Sequence, residues 1–108
     1  MKVTDLVNDL GFTPICMPEP EREINGCYIG DLLSWVMGRA QADNLWITIM
    51  SNVNTVAVAS LADVSAVLLA ENVTLEESIV QTAELKGVNI LSTPLSAYEA
   101  AVKLSGAL

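Results

Sequence analysis

No histidine occurs among the 108 residues. That gap removes the commonest general base, the commonest metal ligand and the usual partner of a serine or cysteine nucleophile. Nowhere does the chain carry Gly-x-x-x-x-Gly-Lys, the loop whose amides and lysine hold a nucleotide's phosphates, so kinase chemistry has no starting point. The two cysteines, Cys16 and Cys27, make no zinc set without histidine, and the scattered carboxylates lack the calcium-loop pattern. No metal and no cofactor are expected. Two cysteines in a chain with no export signal read as unpaired thiols.

Bases are scarce as well. Five Lys and Arg stand against 13 Asp and Glu, for a net charge of -8, and such a surface repels DNA and RNA while keeping an apolar domain dispersed. No nucleic-acid partner is expected. The longest apolar candidate, Thr55 to Ala70, is broken by Ser60, Asp63 and Ser65 and falls short of the ~18 residues of a membrane span. The opening Met1-Lys2-Val3-Thr4-Asp5 lacks the apolar stretch of a secretory signal, so a cytoplasmic location and no membrane contact are expected.

What is present is aliphatic. Apolar residues make up 52% of the chain and aromatics only 5%, so Val, Leu, Ile and Ala must furnish the core, as in a sheet covered by helices. The length suits one domain over residues 1–108, with residues 1–23 as a helix and a flexible Pro/Glu loop and residues 24–108 as the core. Thr4 reads as the N-cap of a short helix through Leu10, stopped by Gly11, and Phe12 to Cys16 as a strand. Met17 to Glu23, with Pro18 and Pro20, reads as the main loop.

Ile24 to Ile29 is a strand candidate, followed from Gly30-Asp31 by a helix that Gly38 loosens at its end. Leu45 to Met50 and Val64 to Ala70 are apolar strands on either side of a small-residue helix from Ser51-Asn52 to about Asp63, where Ala57, Ala59 and Ala62 allow close approach to the sheet. Thr74 to Glu77 and Ser96 to Glu99 have capping-box spacing, placing one helix up to Lys86 with Gly87 as its stop and a terminal one through Leu104. Val88 to Leu91 is the last strand. The expected fold is α/β, a mostly parallel sheet of about four to five strands with helices on both faces.

Parallel strands of this kind present their carboxyl ends on one edge, where ligands usually bind. The loops meeting there supply Ser51, Asn52, Asn54, Glu71, Asn72, Ser92 and Thr93, the candidate ligand-binding residues. Each loop precedes a helix, whose free amides and dipole can receive an anion; the same residue types also sit there simply because they cap. Glu76 and Glu77 are read as capping and dipole residues, Glu19 and Glu21 as a solvated loop pair, and Asp31 as an N-cap. No catalytic residue is expected.

The run Gly26-Cys27-Tyr28-Ile29-Gly30-Asp31-Leu32-Leu33-Ser34, the apolar strand before Ser51, and Gly87 to Glu99, with its Ser92-Thr93-Pro94 turn, together resemble a DRTGG domain. The resemblance covers most of the chain from about Ile24. It implies a fold like the N-terminal domain of HPr kinase/phosphorylase and, more distantly, that of Mur ligases. It also implies a regulatory or assembly role, since such domains stand beside CBS domains in certain pyrophosphatases, where another domain carries the reaction. The namesake residues are replaced: Ser51-Asn52 stand where Asp-Arg would follow one strand, and Ala70-Glu71-Asn72 where Thr-Gly-Gly would follow the next. No binding residue is carried over from that signature.

The expected function is therefore a non-catalytic regulatory module that binds a small metabolite or nucleotide at the strand-end loops. The alternative is a homodimerisation or protein-docking module, suggested by the apolar composition and by Trp35, Met37 and Trp46. A small enzyme is the third and weakest reading.

Overall fold

A computed structural model describes residues 1–108. Ten elements follow in the order α1 (Val3–Asn8), β1 (Thr13–Cys16), β2 (Gly26–Ile29), α2 (Leu33–Arg39), β3 (Asn44–Thr48), α3 (Val53–Ala62), β4 (Ala66–Leu69), α4 (Glu77–Lys86), β5 (Ile90–Ser92) and α5 (Ala97–Ser105). They build one five-stranded sheet in the order β1-β5-β4-β3-β2. β2, β3, β4 and β5 run parallel to their neighbours, but β1 lies antiparallel on β5, with Thr13 opposite Ser92 and Pro14 opposite Leu91. The sheet is thus mixed, which corrects the expected mostly parallel arrangement.

The antiparallel edge has a physical reason. β1 and β2 are consecutive in the chain yet occupy opposite edges, about 19 Å apart across four strand spacings. Because β1 runs against the others, it ends at their amino edge, where β2 must begin, and residues 17–25 cross directly beneath β5, β4 and β3. This segment, expected to be flexible, is hydrogen-bonded along its length. Glu19 N donates to Asn89 Oδ1 at 2.9 Å and its carbonyl accepts from Asn89 Nδ2 at 2.7 Å. Arg22 pairs with Asp43 at 2.8 Å and Asp63 at 3.0 Å, and Ser65 Oγ donates to the Glu23 carbonyl.

Sequential neighbours joined by right-handed crossovers must carry their connecting helices on one face. α2, α3 and α4 accordingly share a core with Trp46, Val67, Leu69 and Ile90, contributing Val36, Val56, Ala59, Ile79 and Ala83. The opposite face, formed by Leu45, Ile47, Ala66, Leu68 and Leu91, is covered by Val3 and Leu6 of α1 and Ala100 and Leu104 of α5. Helices on both faces agree with expectation. The alternation along each strand sorts the side chains into these two cores. β4, central in the sheet, is buried at every position.

Three helix starts differ from their sequence signals. α1 begins at Val3, one residue before the Thr4 expected to cap it: Val3 N and Thr4 N donate to the Arg22 and Pro20 carbonyls at 2.9 and 3.0 Å, so the crossing loop satisfies the free amides. The Thr74 capping box does not form, and α4 starts at Glu77 after an N-cap at Glu76 with no side-chain bond. Val73 and Leu75 pack partly against the core, which keeps Thr74 in an extended stretch facing away. Asp31 does not cap α2; the N-cap is Leu32. Gly38 lies inside α2, which continues to Arg39.

The stop signals and the second capping box agree with the structure. Gly11 and Gly87 adopt φ of 73° and 70°, left-handed conformations that a Cβ would strain. At α5, Glu99 N donates to Ser96 Oγ and Ser96 N to Glu99 Oε1, both at 3.1 Å. Hydrogen bonding to the Ser96 backbone N–H, and secondarily to its hydroxyl, holds the Glu99 carboxyl below its ordinary value of 4.5. A depressed carboxylate stabilises the fold above its unfolded pKa and loses that contribution as pH falls through the folded one. Stability measured by denaturation from pH 6 to pH 3 should therefore fall less steeply in Glu99→Gln than in the wild type; identical acid limbs would refute the assignment.

Candidate functional site

The carboxyl ends of β2 to β5 form one rim, and the seven expected residues follow the ends of β3, β4 and β5 along it, Asn54 already in the first turn of α3 and Ser92 the last residue of β5. Two of them are spent on architecture. Asn52 caps α3, its Oδ1 accepting from Asn54 N at 2.9 Å and Thr55 N at 3.3 Å. Thr93 is buried, and its hydroxyl accepts from Leu95 N at 3.2 Å. The side chains of Asn54, Glu71 and Asn72 are exposed, and those of Ser51 and Ser92 half-exposed. They are the rim groups left to meet a ligand.

The loops are fixed by their own backbone. Glu71 N donates to the Leu95 carbonyl at 2.8 Å, Asn72 N to the Thr93 carbonyl at 2.9 Å, and Ala70 N to the Thr48 carbonyl at 3.0 Å. Glu71 and Asn72 occupy consecutive left-handed positions, with φ of 57° and 60°. Asparagine tolerates that region; glutamate resists it. The strands also follow one another without reversal of order, so the rim lacks the crevice that a switch in strand order opens.

Asp31 is the organising residue that the sequence signals missed. From the β2–α2 corner its Oδ1 accepts from Thr48 Oγ1 at 2.8 Å and from Ile49 N at 3.0 Å, while Met50 N donates to Thr48 Oγ1 at 3.1 Å. One carboxylate thereby closes the end of β3 and steers residues 49–51 into α3. Only its position after Gly30 drew notice to it, and that position suggested a cap. Gly30 itself has no room for a side chain, since a Cβ there would stand 2.9 Å from the Tyr28 ring. Its carbonyl accepts from Trp46 Nε1 at 2.8 Å, which satisfies the buried indole.

No basic side chain serves the rim through any ion pair. Lys2 pairs with Glu21 and Arg22 with Asp43 and Asp63, Arg39 lies 3.9 Å over the Trp35 ring, and Lys103 lies 5.8 Å from the Phe12 ring. Both thiols are held above their ordinary value of 9.0. Cys16 is buried and its thiol, raised by desolvation and by Glu84, donates to the Val88 carbonyl at 3.4 Å. Cys27 sits on the edge strand and desolvation of its thiol raises it to about 11. No three Cys, Asp or Glu side chains converge as metal ligands, and no helix is long and apolar enough to cross a membrane.

Two other surfaces stand out. Ile29, Leu32, Trp35, Met37, Ile49 and Val53 are exposed large apolar side chains on and around β2, α2 and the start of α3, with Trp35 53% exposed. Trp46, by contrast, is wholly inside. On the other edge, a cavity of about 480 Å³ lies between β1 and α4.

The chain folds as a small α/β domain whose carboxyl rim is polar. The chain matches the DRTGG domain over residues 5–107 and belongs to that family. No curated protein matches it. Its fold is similar to the crystal structure of the CBS and DRTGG domains of the regulatory region of Clostridium perfringens pyrophosphatase complexed with its activator, diadenosine tetraphosphate. The TM-score is 0.75 at 13% identity, over 96% of this chain and 46% of that one. The chain thus spans less than half the length of that relative.

Glu71 and Asn72 hold a positive φ that glycine takes freely. Glu71→Gly should raise unfolding free energy by about 0.5 to 1 kcal/mol in urea titrations, the left-handed strain less glycine's added unfolded entropy; a loss of stability would show that the turn does not hold Glu71 there. Asp31→Ala should cost about 1–2 kcal/mol by removing a charged acceptor from two donors, with Asp31→Asn costing less; an Ala variant as stable as the wild type would remove Asp31 from its role.

Proposed function

We propose that this chain is a non-catalytic regulatory module that holds a small polar metabolite on the carboxyl rim, through Ser51, Asn54, Glu71, Asn72 and Ser92, with Asn52 and Thr93 fixing the loops that carry them. The observation that carries the reading is the arrival of the ends of β3, β4 and β5 on one edge, with the segments after β4 and β5 clasped by the bonds from Glu71 N to the Leu95 carbonyl and from Asn72 N to the Thr93 carbonyl. Hydroxyls and amides with no cation among them suit the base and ribose of a nucleoside better than its phosphates. The dinucleotide activator of the clostridial relative supports the same chemistry. A cytoplasmic location and kinship with the HPr kinase/phosphorylase N-terminal domain belong to the same proposal.

A second reading has its own observation. The apolar belt of Ile29, Leu32, Trp35 and Val53 is what a homodimerisation or protein-docking module would present. Sedimentation across a wide concentration range tests its homodimer form, which a purely monomeric chain would defeat.

The ligand reading is tested by calorimetry and thermal melting with adenosine, AMP and diadenosine tetraphosphate. Saturable binding is expected for at least one, with about 2.7 kcal/mol of added stability at a ligand concentration a hundredfold above Kd. Asn54→Ala combined with Asn72→Gly, the latter chosen because glycine suits φ of 60°, should weaken it about tenfold or more, two side-chain hydrogen bonds being lost. No heat and no shift with any of the three, or binding unchanged in the double variant, would overturn it.

A further inference from the structure

The cavity of about 480 Å³ between β1 and α4 lies at the β1 edge of the sheet, and its size is that of a small-molecule site. It is lined by Ile15 and Cys16 of β1 and by Glu77, Val80, Gln81, Glu84 and Leu85 of α4. Positions 77, 80, 81 and 84 follow the i, i+3, i+4, i+7 stripe, so one face of α4 carries two carboxylates with an apolar side chain and an amide between them. Ile79 and Ala83, on the other face, are in the core. Seven residues at 1.5 Å each set Glu77 and Glu84 about 10 Å apart along the helix. Neither is among the chain's ion pairs, which join Met1, Lys2 and Arg22 to Glu23, Glu21, Asp43 and Asp63. Leu85, 88% exposed, extends the apolar wall toward solvent.

Strand addition fits this groove poorly, because Pro14 in the middle of β1 has no N–H to offer an incoming strand. Recognition must run through side chains. We propose that the groove binds a linear aliphatic polyamine, one terminal ammonium on Glu77, the other on Glu84, the methylene chain on Ile15 and Val80, and an inner ammonium on the Gln81 carbonyl. Charge complementarity selects the occupant: two carboxylates outside any ion pair over an apolar floor attract an amphiphilic polycation, and they repel nucleotides and acidic peptides. The spacing selects its length. The site shares no residue with the carboxyl rim, so it stands or falls independently of the rim ligand.

Calorimetry with spermidine, at fixed ionic strength, should show one saturable site, with putrescine, whose two ammonium groups are closer together, binding more weakly. Glu84→Gln should weaken spermidine by about tenfold, the scale of one charge-assisted contact. Val80→Lys, which places an ammonium of the protein's own between the two carboxylates, should abolish binding; a normal melt shows that each variant folds. Magnesium is the control for simple screening of a chain of net charge -8. An equal magnesium response at matched ionic strength, several weak sites, or an unchanged Glu84→Gln affinity would each overturn the proposal.

Discussion

Asn89, 1% exposed at the amino end of β5, is the contact on which the rest of the architecture depends. Its amide accepts from Glu19 N and donates to the carbonyls of Glu19 and Ser65, so a crossing loop, its own strand's approach and the entrance to β4 share one side chain. A buried amide left without partners would be costly, which makes this a stringent fastening. The loop it holds carries the chain from one edge of the sheet to the other. That crossing permits β1 to run antiparallel on β5 and β2 to begin the parallel series at the far edge. Arg22, between Asp43 and Asp63, fixes the same path two strands further on.

The path decides what each surface can do. Consecutive parallel strands send α2, α3 and α4 to one face and leave the other to the terminal helices α1 and α5. The carboxyl rim is then an even edge of clasped loops, suited to holding a polar molecule and unsuited to enclosing one. The Asp31 carboxylate ends β3, and the Glu71 backbone, in a left-handed turn, donates to the Leu95 carbonyl. The β1 edge, capped by α4, is where the molecule has its hollow. The two edges differ because only one is formed by an antiparallel strand lying beside a helix.

Much of the fold was legible in the residues. The aliphatic runs around Leu45, Val67 and Ile90 became strands, Gly11 and Gly87 became left-handed stops, and Ser96 with Glu99 closed a capping box. Such signals are local and are decided within a few residues. The failures share a cause. Thr4, Thr74 and Asp31 had cap chemistry at cap positions, yet distant carbonyls met the amides at the start of α1, packing of Val73 and Leu75 went with an exposed Thr74, and a distant strand took up the Asp31 carboxylate. The candidate rim was legible as a set of loops, because strand ends followed from the strands. That Thr93 and Asn52 would be consumed by the scaffold was hidden, since a hydroxyl or amide that caps has the same sequence appearance as one that binds.

Composition and order of residues by themselves determined that the chain would be an α/β domain of aliphatic core, acidic surface and no histidine chemistry, because periodicity and side-chain type act through short-range physics. Tertiary structure alone decided the direction of β1, the role of Asp31 and the hollow against α4. Each of these joins groups far apart in the chain, and only the folded path brings them within hydrogen-bonding or packing distance.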